Sequence, residues 1–516
     1  LNTLPQKRKD TVIVKTYVPG GKFAIIDENG NDVEYTIIKS RDLTDYVLSQ
    51  TIMLDPSRKF YVPDQVLEVT MAIKANDVPA LGYVQYSIDS KKDSHKETVD
   101  KKVLENKYYT IEVEENGSLT IVDKANNVTY KNQGILVENG DDGDSFNYSP
   151  PRKDMEVFSN ESKCTVKISG SDIYDQAEIH FDMVVPADLD ERAEGKVSVT
   201  MPVDMTVALR KDSKVIDFNV KVDNKGLSHR LCVLFNSQIV SAFNYADQQF
   251  GLIKRPNYYE KEMKLYMESM NNKTEKKAGI QELANWANDQ STWQEPPISI
   301  EPTQSYVSLT DGKTGIAVIP QGVREYEVLD DSKIRLTLFR TYGFMGKENL
   351  IYRPGRASGE RIIETPAAQL LKEMEFNFGF TSYAGDINDS DIDTLAKQYN
   401  TNLEVYTYAE FLNGRLIFSQ REIEGQNAKI HSLFETEGNL VVSAVKKAEE
   451  DDGYIIRLYN GKNHKNLDDK IKFNFDIKEA YYTNLKEEKT EEIKVENNTI
   501  SVKELSHCKC VTIWVK

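Results

Sequence analysis

Lys196-Val197-Ser198-Val199-Thr200-Met201-Pro202-Val203-Asp204-Met205-Thr206-Val207-Ala208-Leu209-Arg210 is the stretch that decides the fold. Apolar side chains occupy every second position from Val197 to Leu209, with Ser198, Thr200, Pro202, Asp204, Thr206 and Ala208 between them. Successive side chains of an extended strand point to opposite faces, so this alternation predicts a strand with one buried and one wet face. At about 3.3 Å per residue the run spans about 40 Å, longer than the usual strand. Pro202 has no N–H for the ladder, which predicts a bulge or an edge at that point. Residues 211–214 supply a turn. Ile216, Phe218, Val220 and Val222 then alternate with Asp217, Asn219, Lys221 and Asp223. Two long alternating strands joined by a short turn predict an antiparallel hairpin of a large sheet.

The pattern extends outward. Ile334, Leu336 and Leu338 alternate with Lys333, Arg335 and Thr337, and residues 231–235, 316–319, 440–445 and 454–458 read as further strands. Turn chemistry recurs at Pro19-Gly20-Gly21, Asn29-Gly30, Asn116-Gly117, Asp311-Gly312 and Asp452-Gly453. Many strands at this spacing point to sandwiches. Helical pattern is scarce. Ser390 as N-cap, Asp393 three residues on, and Ile392, Leu395, Ala396 and Tyr399 on one face predict a short helix. Residues 260–288 are charged and Lys-rich, with Met263, Met267 and Met270 at loose helical spacing, and read as a partly helical surface insertion. Charge-rich residues 90–105 and the change of pattern at 381–390 suggest boundaries. The expected units are 1–90, a small β-sandwich; 91–380, a large β-sandwich with a charged insertion near 259–290; and 381–516, a C-terminal β-domain with one short helix. No fixed-period repeat is visible, so neither a solenoid nor a propeller is supported.

Composition narrows the function. The 516 residues carry 82 Asp+Glu against 65 Lys+Arg, a net charge of −17, which disfavours nucleic acid or an anionic membrane surface as partner. No apolar run approaches ~18 residues, so no bilayer span is expected. Cys164, Cys232, Cys508 and Cys510 are too scattered for a disulfide framework. The chain opens Leu1-Asn2-Thr3-Leu4-Pro5, without an initiator Met or a signal-peptide pattern, so it is expected to be processed or a fragment of something longer. The expected location is cytoplasmic. Sequons at Asn116, Asn127, Asn147, Asn160, Asn272, Asn388 and Asn497 read as chance in an Asn-rich chain.

The search for chemistry starts with metals. His180-Phe181-Asp182 lies in a strand-like stretch that puts His180 and Asp182 on one face, which suits either a metal pair or a wet strand face. Cys508-Lys509-Cys510 lacks a second half and reads as two buried thiols of the last strand. No His-Glu-x-x-His, Gly-x-Ser-x-Gly, P-loop or Gly-x-Gly-x-x-Gly is present. Residues 138–151, ENGDDGDSFNYSPP, hold Glu138, Asp141, Asp142 and Asp144 with two aromatics and a Pro pair. Such a loop can hydrogen-bond sugar hydroxyls, hold a hard cation such as calcium, or make a polar turn with local backbone bonds. Residues 340–359 carry Arg340, Arg353 and Arg356 among four glycines, suited to forking onto a carboxylate or to ordinary ion pairing.

An ordered set of stretches resembles the C-terminal half of glycoside hydrolase family 38, the retaining α-mannosidases, and within it the bacterial, mannosylglycerate hydrolase-like branch. They are Asn2-Thr3-Leu4-Pro5; Asn116-Gly117-Ser118-Leu119 with Asp123-Lys124; GDDGDSFNYSPP at 140–151; and Val222-Asp223-Asn224 with His229-Arg230-Leu231. Phe250-Gly251 with Arg255-Pro256, residues 311–322, Glu325-Tyr326-Glu327-Val328, LTLFRTY at 336–342, residues 366–369 and residues 440–460 complete the series. Ser145-Phe146 departs mildly from the aromatic that bacterial relatives often show before the Asn-Tyr pair.

The resemblance implies a mainly β fold: a small β-sandwich, a large antiparallel super-sandwich of the galactose mutarotase type, and a C-terminal β-sandwich. It implies that the chain is the β-half of a retaining exo-α-mannosidase, whose N-terminal catalytic barrel carries the nucleophile and zinc ligands outside this sequence. The chain alone is then expected to be inactive. The implied partners are an α-mannoside or other mannose-containing substrate and the barrel of the same polypeptide, with homo-oligomerisation open. Asp142, Asp144, Asn147 and Tyr148 are the candidate sugar or loop-ordering contacts, and Arg353 is a further candidate on the Arg-bearing loop. Two other readings stand beside this one. A stand-alone carbohydrate-binding multi-sandwich protein would need exposed aromatic platforms, and Trp286, Trp293 and Trp514 do not cluster in sequence. A different enzyme would use the acids of residues 140–151.

Overall fold

The long alternating hairpin forms as the pattern requires. Val199–Arg210 and Ile216–Asp223 pair antiparallel in a ten-stranded sheet. This computed structural model describes residues 1–50, 63–272, 295–354, 362–412, 431–463 and 465–516. Met201, Val203, Met205, Val207 and Leu209 are buried, while Thr200 and Asp204 on the other face are exposed. The strand begins two residues later than the alternation, leaving Val197 exposed, because its partner Tyr174–Val185 ends opposite Val199. Pro202 faces Asp182 in unbroken register on one side, while the ladder to the other neighbour starts at Val203. Pro202 therefore sits at a local edge and not at a bulge.

The ten-stranded sheet runs from Gly251–Pro256 at one side to Val99–Asp100 at the other, with Glu373–Ala384 next to the hairpin. Facing it is a six-stranded antiparallel sheet built on Ile135–Gly140, His229–Asn236 and Lys333–Arg340. A four-stranded sheet containing Tyr109–Val113 and Leu119–Asp123 adds to the same apolar core. Phe218 stacks on Phe378 with centroids 5.2 Å apart, and Phe235 stacks on Phe380 at 5.5 Å. Each such ring contributes about 1.5–3 kcal/mol by leaving water. This is the large super-sandwich.

Two smaller sandwiches flank it. Arg8–Val18, Tyr35–Asp42 and Leu67–Val78 pack against a second three-stranded sheet around Val18, Phe23, Tyr35 and Met71. At the other end, a four-stranded and a five-stranded sheet enclose Leu458, Ile471, Ile500 and Ile513. A short helix, Ile392–Asn400, buries Ile392 and Ala396, with Leu395 and Tyr399 packed beside them. Its N-cap is Asp391 and not Ser390; Ser390 Oγ lies 3.4 Å from the Ile392 N–H, one position upstream of the cap. Arg210 ties the large sandwich to the first small one. It bonds Asp217 through Nε (2.9 Å) and Nη2 (3.0 Å), and reaches Asp10 of the first strand at 2.6 Å. Arg8 meanwhile donates to the carbonyls of Gln398 and Thr401 at the end of the short helix.

Three local expectations change. Arg335 and Thr337 alternate like wet-face residues, yet both are buried, and at Arg335 the outer face of the six-stranded sheet carries its own ion pairs to Glu156 and Glu327. Cys508 and Cys510 are both exposed, since Cys508 occupies the turn before Cys510–Val515. The insertion is helical over Glu260–Asn272; its remainder, with Trp286 and Trp293, lies outside the described residues, as do Gly355, Arg356 and Gly359. No helix among the described residues is long and apolar enough to cross a membrane.

Candidate functional site

The site is built where Ile135–Gly140 leaves the six-stranded sheet. Residues 141–149 fold back on that sheet's end, and the Arg-rich segment after Lys333–Arg340 closes over them. The two clusters that read separately along the chain are thus one structure.

Asp141 is buried and takes a fork from Arg340, Nε to Oδ2 at 2.6 Å and Nη2 to Oδ1 at 3.2 Å. Arg340 Nη2 also donates to the carbonyls of Asp144 and Asn147, at 2.9 and 2.8 Å. Burial raises the Asp141 pKa, and Arg340 offsets only part of that. Gly143 is required here by close approach: a Cβ on it would stand 2.1 Å from the Asn147 carbonyl oxygen.

Asp144 has no exposed surface. One oxygen accepts from the N–H groups of Phe146 (2.9 Å) and Asn147 (3.0 Å), the other from Lys347 N–H at 2.7 Å. Arg353, itself buried, forks onto both oxygens and also donates to Asn147 Oδ1 and to the Lys347 carbonyl. Burial acts to raise the Asp144 pKa, but Arg353 and the three N–H donors outweigh it and hold the carboxyl below its ordinary range. Asp142 is partly exposed and paired with Lys347.

Tyr148 is buried with its ring against the Arg230 guanidinium, 3.9 Å from the centroid, and edge-on to Tyr352 at 5.9 Å. Its hydroxyl accepts from Asn139 Nδ2 at 3.1 Å, and Arg230 continues to Asn139 Oδ1 and Glu327. Beneath the loop, Glu138 accepts from Arg192 and from His229 Nδ1 (2.9 Å), while His229 Nε2 faces Asn224 Oδ1 at 2.8 Å. Asn224 Nδ2 donates to two backbone carbonyls, so its Oδ1 is the acceptor and His229 the donor there.

All five candidates therefore lie in one cluster, in two kinds of place. Asp144, Arg353 and Tyr148 are internal; the Asp144 oxygens, the Tyr148 hydroxyl and both terminal nitrogens of Arg353 are engaged by protein, while Arg353 Nε is buried without a partner. Asp142 and Asn147 reach the surface. Phe146 stands out at the tip, 59% exposed, on a turn whose backbone Asp144 fixes. The short ribbon of Phe344–Met345 with Ile363–Glu364 bonds to the loop through Ser145 N–H and the Phe344 carbonyl at 3.2 Å, and its Met345 and Ile363 are also exposed. Of the supporting residues, Glu138 and Arg340 were noted from sequence as members of the acidic and Arg-bearing segments and His229-Arg230 as a resembling motif, but none was given a site role. Asp141 and Arg340 are 199 positions apart, and nothing local links them.

No group of three or more His, Cys, Asp or Glu among the described residues has the geometry to hold a metal ion. The loop carboxylates are taken up by Arg and Lys, which leaves no set of free oxygens for calcium either. His180 bonds Asp204 across the strand pair at 2.7 Å on an exposed face, and this raises its pKa.

Comparison with known proteins gives the architecture its family. The model of the glycosyl hydrolases family 38 C-terminal domain matches residues 104–344, which contain most of the loop site. The model of the family 38 C-terminal beta sandwich domain matches residues 439–513. A protein of Halalkalibacterium halodurans named "Putative mannosylglycerate hydrolase" is 24% identical over 420 residues, covering 78% of this chain and 40% of that protein. A crystal structure described as an alpha-mannosidase from Enterococcus faecalis V583 is similar over 100% of this chain and 55% of its own, with a TM-score of 0.72 and 19% identity. A second Enterococcus faecalis structure, of a protein in glycosyl hydrolase family 38, gives the same TM-score and identity and is covered over 57%. The chain thus spans between two fifths and three fifths of the length of these relatives. The chain belongs to glycoside hydrolase family 38, of which it presents the C-terminal β-domains.

Proposed function

We propose that this chain is the β-domain half of a retaining exo-α-mannosidase and that its 141–149 loop closes one side of a sugar pocket whose reactive groups lie on an N-terminal barrel. The observation that carries this reading is the loop itself. It is braced by Arg–Asp forks onto two buried carboxylates, yet it holds an exposed aromatic ring out at its tip. Exposed apolar groups on a braced scaffold suit contact with a partner surface or a sugar ring.

In the assembled enzyme, one carboxylate attacks the anomeric carbon and a second carboxyl protonates the leaving oxygen; water then releases the sugar with retained configuration. A zinc ion held by the other half would supply charge stabilisation at the sugar hydroxyls; none of this chain's described residues would hold it. What this chain's own residues do is positional. Asp144 and Arg353 hold the turn, Tyr148 and Arg230 hold its base, and Phe146, Asp142 and the Asn147 amide nitrogen are left facing outward. The substrate class in this reading is an α-mannoside or another mannose-containing compound. Neither nucleic acid nor a membrane is a partner in this reading, and the location is cytoplasmic.

Two measurements test it. The purified 516-residue chain should not turn over an aryl α-mannoside, with or without added zinc, and turnover by the chain alone would sink the reading. Joined to its N-terminal half, the enzyme should turn it over, and Phe146→Ala should raise KM by about tenfold, about 1.4 kcal/mol of lost binding.

A further inference from the structure

A second concave site lies on the outer face of the six-stranded sheet, at the end opposite the loop. It is a groove of about 320 Å³ lined by Asn132, Ile135, Phe158, Asn160, Glu161, Leu234, Asn236 and Lys333. That volume is at the lower end of small-molecule sites. Ile135 and Leu234 are cross-strand partners and form an apolar floor. Phe158, on the neighbouring strand, makes an aromatic wall. Amides, a carboxylate and an ammonium ring the mouth.

The frame is fixed from beneath. Buried Gln133 donates to the carbonyls of Lys131 (2.7 Å) and Asn236 (2.9 Å) and accepts from Asn236 N–H at 3.1 Å. Buried Ser159 holds the turn bearing Asn160 and Glu161 by accepting from Leu136 N–H at 3.0 Å. Within the rim, Lys333 is paired with Asp330 at 2.8 Å and Asn236 Oδ1 accepts from Gln238 N–H, but the remaining polar groups are free. The side chains of Asn132, Asn160 and Glu161 make no hydrogen bond or ion pair within the described residues, and Asn236 keeps its Nδ2 unengaged there. A fixed amphiphilic groove with unengaged amides has the chemistry of a pyranose site. The C–H face of the sugar packs on Phe158 and the floor, while Asn and Glu exchange hydrogen bonds with its hydroxyls.

We propose that this groove is a secondary, non-reactive binding site for a single neutral pyranose. Ile135 lies four strand positions from Asn139, the partner of Tyr148, so the groove is about 13 Å along the sheet from the base of the loop site. The proposal stands independently of the mannosidase reading.

Saturation-transfer NMR on the full 516-residue chain tests it, with the methyl α-glycosides of mannose, glucose and galactose as probes. Transfer to at least one is expected, unchanged in Phe146→Ala and weakened at least about tenfold in Asn132→Gly/Asn160→Ala. Glycine suits the left-handed backbone of Asn132 (φ 58°), and neither asparagine side chain is bonded, so this variant keeps the fold. Phe158→Leu, which keeps the apolar wall but removes the ring, should weaken transfer as well. No transfer to the unaltered chain overturns the proposal, as does transfer that survives the asparagine changes or disappears with Phe146.

Discussion

Asp144 and Asp247 are two carboxylates within the same super-sandwich, and their pKa values move in opposite directions. Asp144 meets a guanidinium fork and three backbone N–H groups, which hold it ionised below the ordinary range. Asp247 sits at the seam with the short helix, where burial and the nearby Asp393 outweigh a hydrogen bond from Ser305 and the Lys397 charge. Its pKa is pushed up to about 6. Burial is common to both; the number of donors aimed at the carboxylate decides the outcome. The loop site is accordingly a charged, rigid structure at neutral pH, while the seam takes up a proton in mild acid.

The signs of the two pH effects follow. Asp144 has a depressed folded pKa, so its contribution to stability is present above the unfolded value near 3.9 and is lost as pH falls through the folded value. Asp247 has a raised one, so its contribution is complete below about 3.9 and is lost as pH rises through about 6.

The contrast breaks most easily at Arg353. Arg353→Ala leaves Asp144 buried and unpaired and should cost about 3–5 kcal/mol in urea unfolding, whereas Asp144→Leu/Arg353→Leu should cost less. Equal losses for the single and double changes would show that the pair does not act as a unit. Asp247→Asn should act the other way, raising stability at pH 8 by up to about 3 kcal/mol and flattening the profile between about pH 4 and 6. A profile unchanged by that substitution would remove Asp247 from the account. Gly143→Ala forces a methyl group against the Asn147 carbonyl and should cost about 1–3 kcal/mol, read by thermal unfolding. Phe146→Ala sharpens the distinction between brace and tip, because its stability should stay within about 0.5 kcal/mol of the unaltered chain.

Much of the fold was legible because alternation is a local property. The Val199–Arg210 strand, its hairpin partner and the short helix each announce themselves within a dozen residues or so. The errors fall where a neighbour outside that window decides. Arg335 alternates like a surface residue but is covered and paired with Glu156 and Glu327. Cys508 and Cys510 stay exposed at the start of an apolar strand, Cys508 on the turn before it and Cys510 as its first residue. The loop site was legible as composition only. Its density of Asp, Asn and Tyr drew attention to the right segment, but gave no means of separating inward carboxylates from an outward ring.

Sequence by itself determined the β class, the long hairpin and the likeness to family 38, since periodicity and ordered motifs are read along one dimension. Tertiary structure alone decided that the acidic loop and the Arg-bearing segment are a single braced unit, and that Phe146 is the side chain left free at its tip. The physical reason is that charge pairing acts through space. A carboxylate taken out of water is satisfied by whichever donors the fold brings to it, and for Asp144 the guanidinium comes from Arg353, 209 positions away.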